Sequence, residues 1–287
     1  MAVGCLLFVA GPSFCRADAI QFEQKTWDTL ANHDVGRDGE IALAVRPAAW
    51  LHGETPNWVV HYRRITEAKR VALEIDFHIG FVGKFLGAKS EQLAKKGNVF
   101  VFEDEKDWKE FIGKASAETG VSSWAASFAY GSDLFLNVRE GNTGMFNSQR
   151  LAHETTHAIV ARLYGHRSPP LWLSEGFAEE MSGRSVGARM GQFNQRALQR
   201  LQLASLTPDQ LTELKVYPTE MNAVWQLYQS SEKLVRFLMT DAPADRFPKL
   251  FEAMVNGDDL ATGLQKFYAD KYPTYDAFKQ RFARLAR

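Results

Sequence analysis

The residues best suited to chemistry lie in "LAHETTHAIV", residues 151–160. On a helix, His153 and His157 stand at i and i+4, one turn apart on one face, so their imidazoles can converge on a single metal ion. Glu154 points to the side, where it can reach a water held by that ion without being a ligand itself. Two neutral nitrogens make an incomplete site, because a hydrolytic zinc takes three protein ligands and keeps a fourth position for water. A glycine three residues and a histidine six residues beyond His157 would be one way to complete it, but Val160 and Leu163 stand there. Downstream, "PPLWLSEGFAEEMS" (169–182) offers Glu175 as the third ligand, with Glu179 four residues on, along the same helical face. Glu179 can accept a hydrogen bond from a ligand imidazole and so orient the ring. The chain has seven histidines in 287 residues. At that density, chance places a His-Glu-x-x-His in about 1% of chains, which makes coincidence the weaker explanation.

These groups need elements to hold them. Residues 20–56 show few clear periods and include the turn-rich "NHDVGRDGE". "NWVVHYR" (57–63) alternates like a strand, and apolar spacings of three and four from Thr66 to about Leu86 predict a long buried helix. "NVFVFED" (98–104) reads as a second strand and "EKDWKEFIGKAS" as a second helix. Two short strands follow across 123–140, turning at Gly131-Ser132. The helix bearing His153 is expected to start near Asn147 or Ser148, either of which can cap it. Beyond Gly165 the pattern is almost wholly helical. "LSEGFAEEMSG" reads as a short helix from a Ser174 cap to a Gly183 stop, and Thr207-Pro208 with Gln210 form a capping box.

The expected fold class is thus α+β. An N-terminal mixed α/β half with a small sheet (20–165) ends in the central metal-binding helix, and a C-terminal α-helical half (166–287) carries the third ligand. Their seam falls at "GHRSPP", where glycine and proline cluster. At 45% apolar residues the chain can bury a sizeable core, as one large domain or two small ones. Thirty-four basic residues balance thirty-four acidic ones, so composition points to no nucleic-acid partner and no charge-driven membrane partner. Both cysteines, Cys5 and Cys15, lie in an apolar leader that ends in Ala17-Asp18-Ala19, a small-x-small pattern. Residues 1–19 therefore read as a signal peptide, too short and interrupted for a stable membrane span, and the chain is expected to be exported to the periplasm or the exterior. Cleavage after Ala19 would leave no thiolate for a disulfide or a metal. His33, His52, His61, His78 and His166 show no ligand spacing and read as surface or core residues. "GFVGKFLG" falls inside a helix and is no phosphate loop.

"HETTH" followed by "LWLSEGFAEEMS" resembles the gluzincin metallopeptidases, most closely the peptidase MA-like group of bacterial, often exported proteins. Aminopeptidase-N-like gluzincins carry a similar Trp-Leu-x-Glu-Gly-Phe-Ala stretch, matched by Trp172, Leu173, Glu175, Gly176, Phe177 and Ala178. The step from His157 to Glu175 is one residue shorter here. The resemblance spans roughly 57–287, and its specific part is 148–182.

It implies a zincin-like fold and one Zn2+ held by His153, His157 and Glu175, with Glu154 as general base. It also implies a tyrosine on a later helix that steadies the developing oxyanion. "LYQSSEKLVRFL" makes Tyr228 that tyrosine, although Ser230-Ser231 stand where relatives have Lys-Gly; Tyr217 is the fallback. A peptide or protein substrate would lie along an edge strand near 122–130. That stretch holds no acid to grip a free amino terminus, which favours an endopeptidase over an aminopeptidase. Two other readings stay open: a catalytically silent gluzincin-fold protein serving envelope binding or assembly, and a zinc amidase acting on peptidoglycan peptides.

Overall fold

Strand residues alternate between the two faces of a sheet, and this chain buries both. β3 (Trp58–Tyr62) and β4 (Gly97–Phe102) are buried along their whole lengths, as strands covered by helices on both sides must be. Trp58, Val60, Tyr62, Val99 and Val101 join a large apolar cluster on one side, while Phe100 and Phe102 join a smaller one on the other. The computed structural model describes residues 21–123, 125–138, 144–165, 167–190 and 204–285. The leader with its two cysteines, Trp124 and His166 lie outside the described residues.

β1 (Glu23–Lys25), β2 (Leu51–Glu54), β5 (Ser127–Tyr130) and β6 (Asp133–Asn137) complete a six-stranded mixed sheet of order β1-β2-β3-β4-β6-β5. β3, β4 and β6 run parallel, and the remaining pairs are antiparallel. The β5–β6 hairpin turns at Gly131-Ser132 as expected, with Gly131 at φ 55°, a backbone region open to glycine. β5 is left as an edge.

α1 (Gly36–Ala44) and α3 (Glu105–Thr119) supply Ile41, Ala42, Trp108 and Phe111 to the smaller cluster. α2 (Ile65–Leu86) and α4 (Gly144–Tyr164) cover the opposite face through Val71, Ile75, Ala158 and Ile159. α5 (Leu171–Met190), α6 (Pro208–Glu213), α7 (Met221–Thr240), α8 (Arg246–Val255), α9 (Leu260–Phe267) and α10 (Tyr275–Leu285) follow, with no strand among the described residues after β6. The molecule is α+β. The expected seam falls at the α4–α5 turn, and the large cluster runs across it from Trp58 to Phe282.

Several expected boundaries need correction. α4 starts at Gly144, ahead of both proposed caps. α5 starts at Leu171, where the Leu173 and Ser174 amides already donate to the Pro170 carbonyl at 2.9 Å, so Ser174 lies inside the helix. Gly183 does not stop α5. A helical glycine costs only about 1 kcal/mol relative to alanine, and buried Met181, Ser185 and Val186 hold the turns around it. Residues 20–56 contain β1, α1 and β2, elements too short to show a period. The α6 capping box forms as expected: the Thr207 hydroxyl accepts from the Gln210 amide at 3.3 Å, and Gln210 Oε1 accepts from the Thr207 amide at 2.9 Å.

α5 and α7 cross closely where Gly176 meets the Ser231 backbone; a side-chain carbon at Gly176 would overlap the Ser231 carbonyl and sit 2.8 Å from Val235 Cγ2. Beside the crossing, buried Glu180 of α5 accepts from Arg184 Nε at 2.6 Å and from Arg236 Nε of α7 at 2.8 Å. This contact fixes which turns of the two helices face each other.

Candidate metal centre

The i, i+4 spacing on α4 brings His153 Nε2 and His157 Nε2 to 3.0 Å. The α4–α5 turn then folds Glu175 over them, with Oε2 3.3 Å from His153 Nε2 and Oε1 3.5 Å from His157 Nε2. Among the described residues this is the one group of three His, Cys, Asp or Glu able to hold a metal. Four ligands at about 2.0–2.1 Å in a tetrahedron stand roughly 3.3 Å from one another, so the observed separations suit a zinc-sized ion. Two imidazoles and one carboxylate are also the donor set that such an ion takes when it leaves a place for water.

Each donor is steadied from behind. Glu179 Oε1 lies 3.1 Å from His153 Nδ1. The Ser174 hydroxyl stands 3.2 Å from His157 Nδ1, and the Tyr217 hydroxyl donates to Glu175 Oε1 at 2.6 Å. Such contacts set ring orientation and the tautomer that presents Nε2. The Ser174 and Tyr217 roles were not legible in the sequence. Ser174 read as a cap, and Tyr217 sits 42 residues from its partner.

Charge is arranged to match. Burial alone would raise the Glu175 carboxyl pKa, but the facing His157 and His153 rings overcome it and hold the carboxyl far below its usual range. Burial works against a charged His153, yet the adjacent Glu175 and Glu179 carboxylates outweigh it and raise the ring well above its ordinary value. A metal held between these donors would displace the His153 proton, so metal binding and protonation compete at this site.

Glu154 turns out of this cluster towards the sheet edge, where Ser127 Oγ of β5 donates to its Oε1 at 3.3 Å. The Tyr228 ring lies edge-on to His153 at 6.1 Å between centroids, with the Tyr217 ring 6.5 Å from it. Burial first, then the Glu175 and Glu154 carboxylates, push the Tyr228 hydroxyl above its usual range; burial and Glu175 do the same to Tyr217. Both therefore stay protonated and can donate. Tyr217 spends its proton on Glu175, so the two tyrosines hold different posts.

All of these groups line one cavity of about 860 Å³, walled by β5 on one side and by the start of α7 on the other. The stretch expected as an edge near 122–130 supplies that first wall, though only 127–130 is strand. Among the described residues, His33, His52, His61 and His78 fall as expected outside the donor set. His61 and His78 are buried, and His52 meets His61 Nδ1 to Nδ1 at 2.9 Å. No helix among the described residues is long and apolar enough to cross a membrane.

Compared with known proteins, the chain matches no family model and gives no significant match to a curated protein. The fold and the site by themselves define an α+β protein with a two-histidine, one-glutamate donor set on a helical hairpin, opening onto a cleft beside a sheet edge.

Proposed function

We propose that this chain is a zinc-dependent endopeptidase of gluzincin type, exported and acting on extended peptide segments. The observation that carries this reading is the placement of Glu154. Its carboxylate stands beside the convergent donors but outside them, facing the cleft and steadied by Ser127 of the strand edge. A site that only stored or bridged a metal would have no use for a carboxylate there.

His153, His157 and Glu175 would hold the Zn2+, which when bound lowers the pKa of a water towards neutrality and polarises a carbonyl. Glu154 takes the proton of the attacking water and returns it to the leaving amine. The Tyr228 hydroxyl, kept protonated by its surroundings, donates to the oxygen that gains charge as the carbonyl carbon becomes tetrahedral. The edge of β5, unpaired among the described residues, receives the peptide main chain as an added strand, which brings the scissile bond between Glu154 and Tyr228.

The test compares purified wild type with Glu154→Gln for zinc content and for cleavage of a quenched-fluorescence peptide library. Both proteins are expected to hold one zinc, with the variant losing about 10²–10⁴-fold in rate, the usual worth of a positioned base. Equal rates in both, or no zinc in either, would end the reading.

A further inference from the structure

The cleft is built asymmetrically. The β5 side is lined by Ser127, Phe128 and Ala129, with Ala126 just ahead of the strand. The opposite wall is α7, where Met221, Trp225 and Tyr228 recur at i, i+4 and i+7 and so form one stripe. Tyr228 reaches the donor set, while Met221 and Trp225 remain 46% and 40% exposed. A large apolar side chain left so open at the mouth of a cleft is a surface to be covered.

Position narrows what covers it. The rings step from His153 to Tyr228 by 6.1 Å and from Tyr228 to Trp225 by 6.2 Å. An extended peptide advances about 3.3 Å per residue, so Trp225 meets a side chain within about four residues of the bond at the metal centre. An apolar side chain arriving here gains contact with a sulfur and an indole ring.

We propose that Met221 and Trp225 form a subsite selecting a bulky apolar side chain (aromatic, leucine or methionine) on an extended peptide, within about four residues of the bond cleaved. The inference rests on the peptidase reading above and adds the substrate class. Discrimination comes from apolar area covered rather than from hydrogen bonding, so the preference is graded: one missing methylene changes it about tenfold or more.

The experiment uses zinc-loaded full-length Glu154→Gln, which is expected to bind peptides without turning them over. Fluorescein-labelled decapeptides with Phe, Leu, Ala, Lys or Glu at a single varied position are titrated and followed by anisotropy. The expected order is Phe and Leu ahead of Ala by well over about tenfold, with Lys and Glu weakest. Adding Trp225→Ala should collapse the Phe-to-Ala ratio towards one, Met221→Ala should reduce it in part, and Trp225→Phe should keep most of it. Zinc content and thermal melting of each protein guard against misfolding, and Trp225→Phe still reads the subsite if Trp225→Ala does not fold. Tight peptide binding with an unchanged ratio in Trp225→Ala, or a preference for Lys, overturns the subsite and leaves the peptidase reading standing. Failure of every peptide to bind removes the peptidase reading and the subsite with it.

Discussion

Gly176 makes a demand on the fold that one methyl group can test. Its helix, α5, crosses α7 so closely that an alanine Cβ would overlap the Ser231 carbonyl oxygen and stand 2.8 Å from Val235 Cγ2. Ordinary contact begins near 3.4 Å, so the helices must part by about 1 Å or a buried carbonyl must tilt, an overpacking cost of about 1–3 kcal/mol. Backbone contact puts the cost at the upper end, and alanine's better helix propensity returns about 1 kcal/mol. The net loss is therefore about 2 kcal/mol, or a Tm lowered by about 4–8 °C in a domain of this size. Gly183 lies two turns on in the same helix, with nothing within 4 Å of the added carbon. Gly183→Ala should thus hold Tm or raise it, since only propensity acts there. Calorimetry of the two variants beside wild type gives opposite signs if the argument is right. Gly176 also adjoins Glu175, and Ser231 lies one turn from Tyr228, so a displaced crossing moves Glu175 and the proposed oxyanion donor Tyr228 together. Hydrolysis by Gly176→Ala is expected to fall more than its stability explains. A Gly176→Ala protein as stable and active as wild type would refute the close crossing as the device that sets the site.

Other expectations follow from single contacts. Tyr217→Phe removes the hydroxyl on Glu175 Oε1, and zinc affinity measured by chelator competition should fall about 10–100-fold; an unchanged affinity would deny Tyr217 its positioning role. Ser174→Ala should weaken zinc less, because a neutral hydrogen bond is worth about 1 kcal/mol. Chelation of the zinc-loaded protein should lower Tm in proportion to the logarithm of free zinc over Kd, and a Tm indifferent to zinc would count against the donor set. His61 and His78 are held neutral by burial, each with a pKa lowered from 6.5 to about 3; His52 adds to the effect on His61, and Arg189 to that on His78. The folded state therefore binds fewer protons than the unfolded chain between those values, and stability is lost as pH falls from about 6.5 towards 3. Both ring nitrogens of His78 are buried without a hydrogen bond, so His78→Leu should raise stability, and by more at pH 5 than at pH 8. Urea unfolding at the two pH values checks this, and an equal gain at both would contradict the buried, neutral assignment.

Much of the site was legible because local geometry carries it. The i, i+4 histidines converge on any α-helix, Glu154 must then point aside, and Glu179 must follow Glu175 by one turn. The long elements were equally legible: α2 through its apolar period, β3 and β4 through their runs, α6 through its box. The ends of α4 and α5 were not. Glycine and serine have no fixed meaning in a helix, and packing around Met181 and Val186 outweighs the weak local preference at Gly183.

The sequence by itself determined the donor types, their order and the helical hairpin that brings them round. What only the tertiary structure decided were the contacts between residues far apart in the chain. Tyr217 reaches Glu175 across 42 residues, Ser127 reaches Glu154 across 27, and the Gly176–Ser231 crossing sets Tyr228 over His153. The same closure puts Trp225 and Met221 in one cavity with the residues of β5. Such contacts depend on which surfaces fit at close-packed density, a property of the assembled core rather than of any window of residues.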